Sequence, residues 1–156
     1  MSDDARFEDA GGAPLKLRAF DAEDLQVISA LVQDSVFPIT EMIWQADKRR
    51  FGLLLNRLRR EDQAVRDGRS VERVQSVLAI EDVISVRSTG IDREDRDLVL
   101  SLLSIAMEPG EDAGGRMTLV LAGDGAVAIE VEALEVTLKD VTRPYLAPSG
   151  KIPAHD

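Results

Sequence analysis

The stretch from Met117 to Val131 constrains this chain more than any other. Met117, Leu119 and Leu121 alternate up to Gly123-Asp124-Gly125, and Val127, Ile129 and Val131 alternate away from it. A period of two on both sides of a Gly-Asp-Gly turn reads as a β-hairpin with one buried face. The same period recurs upstream. Met42 and Trp44 alternate, Asp47-Lys48 forms a turn, and Phe51, Leu53 and Leu55 share the face of a longer strand. Val74, Ser76, Leu78 and Ile80 continue the pattern, Glu81-Asp82 turns the chain, and Ile84 and Val86 resume it. Leu98 to Met107 is almost wholly apolar and reads as a central strand buried on both faces. Leu134, Val136 and Leu138 fall out of phase with Val131, which predicts a one-residue bulge near Glu132-Ala133. A heptad also fits Val127 to Val141, but the β-branched residues there favour strand.

One segment breaks the period. Leu15, Leu17 and Ala19 form a short strand, and Asp21 then caps a helix with Glu23 and Asp24 in its first turn. Leu25, Ile28, Leu31, Val32 and Val36 follow at helical spacing until Pro38. The expected fold is α+β: one long N-terminal helix packed on a mainly antiparallel sheet or open barrel of seven to eight strands. Residues 14–142 are expected to form a single globular domain. An acidic arm (1–13) precedes it and an irregular tail (143–156) with Pro144, Pro148 and Pro153 follows. The polar segment Glu61 to Ser70 reads as a loop.

Composition narrows function mainly by exclusion. The 156 residues are 44% hydrophobic, enough for a real core at this length. Cysteine is absent and the only histidine, His155, is the penultimate residue. Thiolate nucleophiles, Ser-His-Asp triads and sulfur- or histidine-based metal sites are therefore not expected in the fold. No cofactor is expected either. Gly123-Asp124-Gly125-Ala126-Val127-Ala128 matches a dinucleotide-binding pattern, but too little chain remains for the rest of that unit. The opening Leu17 to Asp24 resembles the first strand and helix of acyl-coenzyme A acetyltransferases. Their glycine-rich phosphate turn has no match, since Asp92 stands in Arg87-Ser88-Thr89-Gly90-Ile91-Asp92 where glycine or alanine is needed. Asp92, Glu94, Asp95 and Asp97 lack the glycine and distal glutamate of a calcium loop. No apolar run approaches the roughly 20 residues of a membrane helix and the acidic start is no secretory signal, so a cytoplasmic protein is expected.

Charge is distributed unevenly. The net charge is −10, yet between Lys48 and Arg73 nine cations face four acids. Arg57 and Arg59 continue the face of Phe51, Leu53 and Leu55, about 7 Å apart by strand rise, and could hold one anionic group between them. With Trp44 across the hairpin as an aromatic wall, the candidate site is Trp44, Arg50, Asn56, Arg57 and Arg59. Its expected partners are an acidic protein, including a second copy of this chain in a homo-oligomer, or a small anionic ligand. Nucleic acid is disfavoured by the negative charge elsewhere. The acids lie in turns and on solvated faces, and no lysine sits in an apolar stretch, so a non-catalytic binding module is expected. The alternative is an enzyme using carboxylate acid/base chemistry on a small anionic substrate.

The segments Leu15 to Val36, Phe51-Gly52-Leu53-Leu54-Leu55-Asn56-Arg57, Val86 to Asp92 and Gly123 to Leu138 together resemble a bacterial family catalogued as domain of unknown function 2948. The resemblance runs in order over most of Pro14 to Val141. It implies a small single-domain cytoplasmic protein, and carries over no activity, ligand or catalytic residue.

Overall fold

The computed structural model describes residues 14–59, 72–143 and 145–146. The expected arm, the expected loop from Glu61 to Ser70 and most of the expected tail lie outside the described residues. Among the described residues eleven strands form one sheet, and every pairing in it is antiparallel. They are β1 (Lys16–Ala19), β2 (Ser35–Pro38), β3 (Met42–Gln45), β4 (Arg50–Leu58), β5 (Glu72–Ile80) and β6 (Val83–Thr89). β7 (Val99–Pro109), β8 (Gly115–Leu121), β9 (Ala126–Val131), β10 (Val136–Asp140) and β11 (Tyr145–Leu146) complete it. Among the described residues there is one α-helix, α1 (Ala22–Val32).

The spatial order is β1-β10-β5-β4-β2-β7-β8-β9-β6, with β3 beside β4 and β11 beside β5. The end strands β1 and β6 do not pair, so the sheet is open. It nevertheless curls back on itself: Val83 N–H donates to the Arg49 carbonyl at 2.9 Å, bringing the start of β6 to the start of β4. The core lines the inside of the curl. Phe37, Phe51, Leu53, Leu55, Leu78, Met117, Leu119, Val127, Ile129 and Leu138 are all essentially inaccessible.

α1 begins as its sequence dictates, with Asp21 Oδ1 accepting from Asp24 N–H at 2.8 Å. Leu25, Ile28 and Val32 are buried, each contributing about 1.5–3 kcal/mol by removal from water. The helix is shorter than expected, however, at 11 residues. Gln33 leaves helical geometry and Asp34 adopts a left-handed φ of 67°. Val36, placed in the helical stripe by its spacing, instead belongs to β2.

The strand count exceeds seven to eight because β1, β2, β3 and β11 are only two to four residues long, too short for alternation to announce all of them. The phase slip after Val131 is not a bulge. β9 and β10 are separate strands near opposite ends of the sheet, and the residues between them cross alongside the β5–β6 turn. There Glu132 N–H donates to the Asp82 carbonyl and Glu81 N–H to the Glu135 carbonyl. The ladder irregularities lie instead between Val83 and Ser85 and between Leu102 and Ser104. The first buries Val83 and exposes Ile84, the reverse of the expected face. β7 lies inside the sheet as expected, but Val99 is 62% exposed, so that strand is not covered on both faces.

The two hairpins follow the predicted turns. Trp44 stands opposite Phe51 in the β3–β4 register, and Gly123 and Asp124 both take the positive φ that tight hairpin turns require. Gly115 and Gly52 make a paired test of packing. A Cβ on Gly115 would overlap the Glu108 carbonyl oxygen of the neighbouring strand, whereas one on Gly52 meets nothing within 4 Å. Gly115→Ala should cost about 2 kcal/mol or more, several degrees in melting temperature, while Gly52→Ala should stay within about 1 kcal/mol of the parent. Thermal unfolding of the two variants checks both.

Candidate functional site

The far end of β4 carries a buried charge. Arg57 follows the inward alternation of Phe51, Leu53 and Leu55, and its side chain is 0% exposed. Asp140, which extends the Val136-Leu138 face of β10, is 2% exposed. Arg57 Nη2 donates to both Asp140 oxygens at 3.0 and 3.1 Å, and Nε donates to Asp140 Oδ1 at 3.2 Å. Ser76 of β5 sits between them: its Oγ accepts from Arg57 Nε at 3.0 Å and donates to Asp140 Oδ1 at 2.6 Å. Arg57 Nη1 also donates to the Leu58 carbonyl. The second carboxylate oxygen accepts from Leu15 N–H at 2.9 Å, just before β1. Arg59 meets a different acid, Glu72, at 2.7 Å. The two guanidinium groups therefore each engage a carboxylate of this chain rather than converging on one anionic group.

The five residues named from sequence occupy two ends of one strand. Trp44 lies opposite Phe51, six residues before Arg57 and so roughly 20 Å away along β4. Arg50 lies at the same end of the strand, opposite Gln45 in the register, and is exposed, with Nε donating to both oxygens of Glu81 at 3.0 Å. Asn56 is half-buried on the opposite face from Arg57, and its carbonyl accepts from Arg73 Nη1 at 3.2 Å. Asn56, Arg57 and Arg59 thus share one end of β4, with Asn56 on the face away from Arg57, while Trp44 and Arg50 share the other end but line different cavities. Ser76 and Asp140 were not in the candidate set. Their signal was a polar residue at a core-phase position on each of two strands.

A concavity of about 580 Å³ lies elsewhere, between α1 and β7. The helix contributes Ala22, Leu25, Gln26, Ser29, Ala30 and Gln33, one stripe at helical spacing, and β7 contributes residues 103–107. None of these side chains is charged. Its origin is topological. β8 pairs with β7 as far as Pro109, but β2 pairs with it only from Val99 to Leu102. The last bond on that side is Asp34 N–H to the Leu102 carbonyl at 2.8 Å. Beyond it, among the described residues, one edge of β7 has no neighbouring strand. Ile105 N–H, pointing into the groove, donates instead to Ser29 Oγ at 2.9 Å. In an antiparallel strand the N–H and C=O of one residue point the same way, and residue i+2 repeats them. The Ile105 carbonyl and both backbone groups of Met107 therefore face the groove as well.

A family model described as a protein of unknown function, DUF2948, matches residues 15–155. The chain belongs to that family. The matched span takes in α1 and all eleven strands, hence every residue of the groove and of the buried pair. No curated protein and no solved structure matches the DUF2948 chain.

Other features of this DUF2948 protein read as surface or scaffold. Arg116 on β8 has its pKa raised by a hydrogen bond from its guanidinium to Glu130 and then by the charge of that carboxylate, which reinforces a cation that arginine already is. Among the described residues no group of three or more potential ligands could hold a metal ion, and no helix is long and apolar enough to cross a membrane.

Removing one partner of a buried ion pair leaves the other charge uncompensated, at a typical cost of about 3–5 kcal/mol. Asp140→Ala should destabilise the fold by that amount. Ser76→Ala, which removes only a hydroxyl, should cost about 1–2 kcal/mol. Urea midpoints for the two variants check the order as well as the sizes.

Proposed function

We propose that this protein is a non-catalytic binding module that captures an extended, uncharged peptide segment by adding it as a strand to the bare edge of β7, under α1. The observation that carries this reading is the half-paired edge itself: backbone groups of Ile105 and Met107 directed into a groove walled by a helix. Strand addition beside a helix is a recurrent mode of peptide recognition, with backbone bonds supplying affinity and side-chain pockets supplying selectivity. The groove is of ligand-binding size, within the range of roughly 300–1,000 Å³. Its wall is unusually accommodating, since Ala22, Ser29 and Ala30 keep the helix backbone close without filling the space.

The lining sets the chemistry of the occupant. With no charged side chain among the described residues of the groove, a carboxylate or ammonium entering it would lose water without gaining a partner from them. The inserted residues should be uncharged, with small side chains toward the helix. Three backbone groups are offered directly, and a fourth, the Ile105 N–H, becomes available if Ser29 rotates away. At about 0.5–1.5 kcal/mol net per hydrogen bond and with the ordering of a flexible peptide set against them, binding should be modest, in the micromolar range. In this reading the arginine end of β4 is scaffold, because Arg57 and Arg59 serve Asp140 and Glu72.

The test is selection from a display library of random 12-residue peptides on the folded protein, followed by titration of the selected peptides against Ala30→Trp. Ala30 is exposed, so the indole fills the groove without disturbing the core. Selected peptides should shift the backbone amides of residues 103–107 and bind Ala30→Trp at least about tenfold more weakly. Equal binding by the variant, shifts confined to other strands, or failure to select any binder would refute the proposal.

A further inference from the structure

A second cavity sits where the curled sheet fails to close, between β3 and β6. It is small, about 100 Å³, and lined by Trp44, Phe51, Val86, Ser88, Arg93 and Val127 among others. Phe51 and Val127 are 1% and 0% exposed and form an apolar floor, while Trp44, at 36%, is a wall that reaches solvent. An apolar cavity of about 150 Å³ accepts benzene, so this one has room for a branched aliphatic group of four or five heavy atoms. It is too small for a nucleotide or a cofactor.

The polar lining is equally specific. Among the described residues Arg93 is the only charged one in the lining, and it makes neither an ion pair nor a hydrogen bond. That is unexpected for an arginine flanked by Asp92, Glu94 and Asp95. Two of the nearby carboxylates are turned onto their own loop: Asp92 Oδ1 accepts from Glu94 N–H and Asp95 Oδ1 from Asp97 N–H, both at 3.1 Å. The cavity therefore combines an apolar floor, an aromatic wall, a hydroxyl from Ser88 and a guanidinium that has no carboxylate partner among the described residues.

We infer that this cavity binds a short branched aliphatic carboxylate, its alkyl group against Trp44, Phe51 and Val127 and its carboxylate on Arg93 and Ser88. A guanidinium accepts a carboxylate bidentately, and the apolar floor favours an alkyl tail over a second polar group. The neighbouring acidic loop weakens the field, and the few contacts of so small a ligand set a dissociation constant on the order of 1 mM. The site shares no residue with the α1–β7 groove, so either assignment can fail without the other.

Trp44 is the only tryptophan, but it also walls a neighbouring cavity with Ala46, Arg49 and Val83, so a change in its emission is assigned to this cavity only when the methyl signals of Val86 and Val127 change with it. Isovalerate and its neutral isostere isovaleramide are titrated into the full chain and into Arg93→Gln, with the methyl resonances of Val86 and Val127 followed in parallel. Isovalerate should produce a saturable change in emission and in both methyl signals, and isovaleramide should bind at least about fivefold more weakly. Arg93→Gln, an exposed position whose replacement leaves the melting temperature unchanged, should erase that preference. Equal binding of acid and amide by the parent, a non-saturable response in both readouts, or an undiminished preference in Arg93→Gln would overturn the assignment.

Discussion

The buried pair of Arg57 and Asp140 is the constraint on which the rest of this structure rests. Taking a guanidinium and a carboxylate out of water costs several kcal/mol per ion, and the arrangement is tolerable only when every partner is in place. Here those partners come from β4, β5, β10 and the residue before β1. The pair thereby fixes register. Ser76 lies opposite Asp140 on one side and Leu55 on the other. A slip of β10 by one residue would turn Asp140 to the other face and strand Arg57 in the core. Hydrophobic burial drives this sheet together, but it is less particular about alignment than a charge that must meet its counterion.

That alignment reaches the proposed binding surface through the chain order. Asp140 holds Leu15 by a reciprocal pair of bonds, its carboxylate accepting from Leu15 N–H and its own N–H donating to the Leu15 carbonyl. β1 follows at once, and after two residues α1 begins, packed against β1, β4 and β7. The helix is thus delivered to β7 by a short, tethered lead. Its brevity matters too. Because Asp34 turns the chain at positive φ, β2 starts early and covers only the first part of β7. A helix continuing to Val36 would have left no β2 there at all, and a longer β2 would have left no bare edge.

Much of this was legible in the residues. The turn chemistry of Gly123-Asp124-Gly125 and Asp47-Lys48 located two hairpins, and Asp21 with its acidic first turn located the start of the helix. What failed did so for physical reasons. Val36 suits a helical stripe and a strand equally, and only the conformation of Asp34 decides between them. The phase change after Val131 is locally indistinguishable from a bulge, because long-range pairing of β10 with β5 and β1 determines it. Arg57 and Arg59 read as a rim because their counterions lie 83 and 13 residues away in sequence. The groove was invisible for the same reason: no local pattern records that, among the described residues, β7 lacks a neighbouring strand on one side beyond Leu102.

The central claim is that β7 presents an unpaired edge beneath α1, and amide hydrogen exchange along that strand tests it most directly. The account predicts alternation. Ala106 and Glu108, whose amides face β8, should be strongly protected. Met107, whose amide faces the groove, should exchange at least about tenfold faster despite lying between them, with Ile105 intermediate through its bond to Ser29. Uniform protection from Ile105 to Glu108 would mean that the edge is already covered in solution, and would contradict the account.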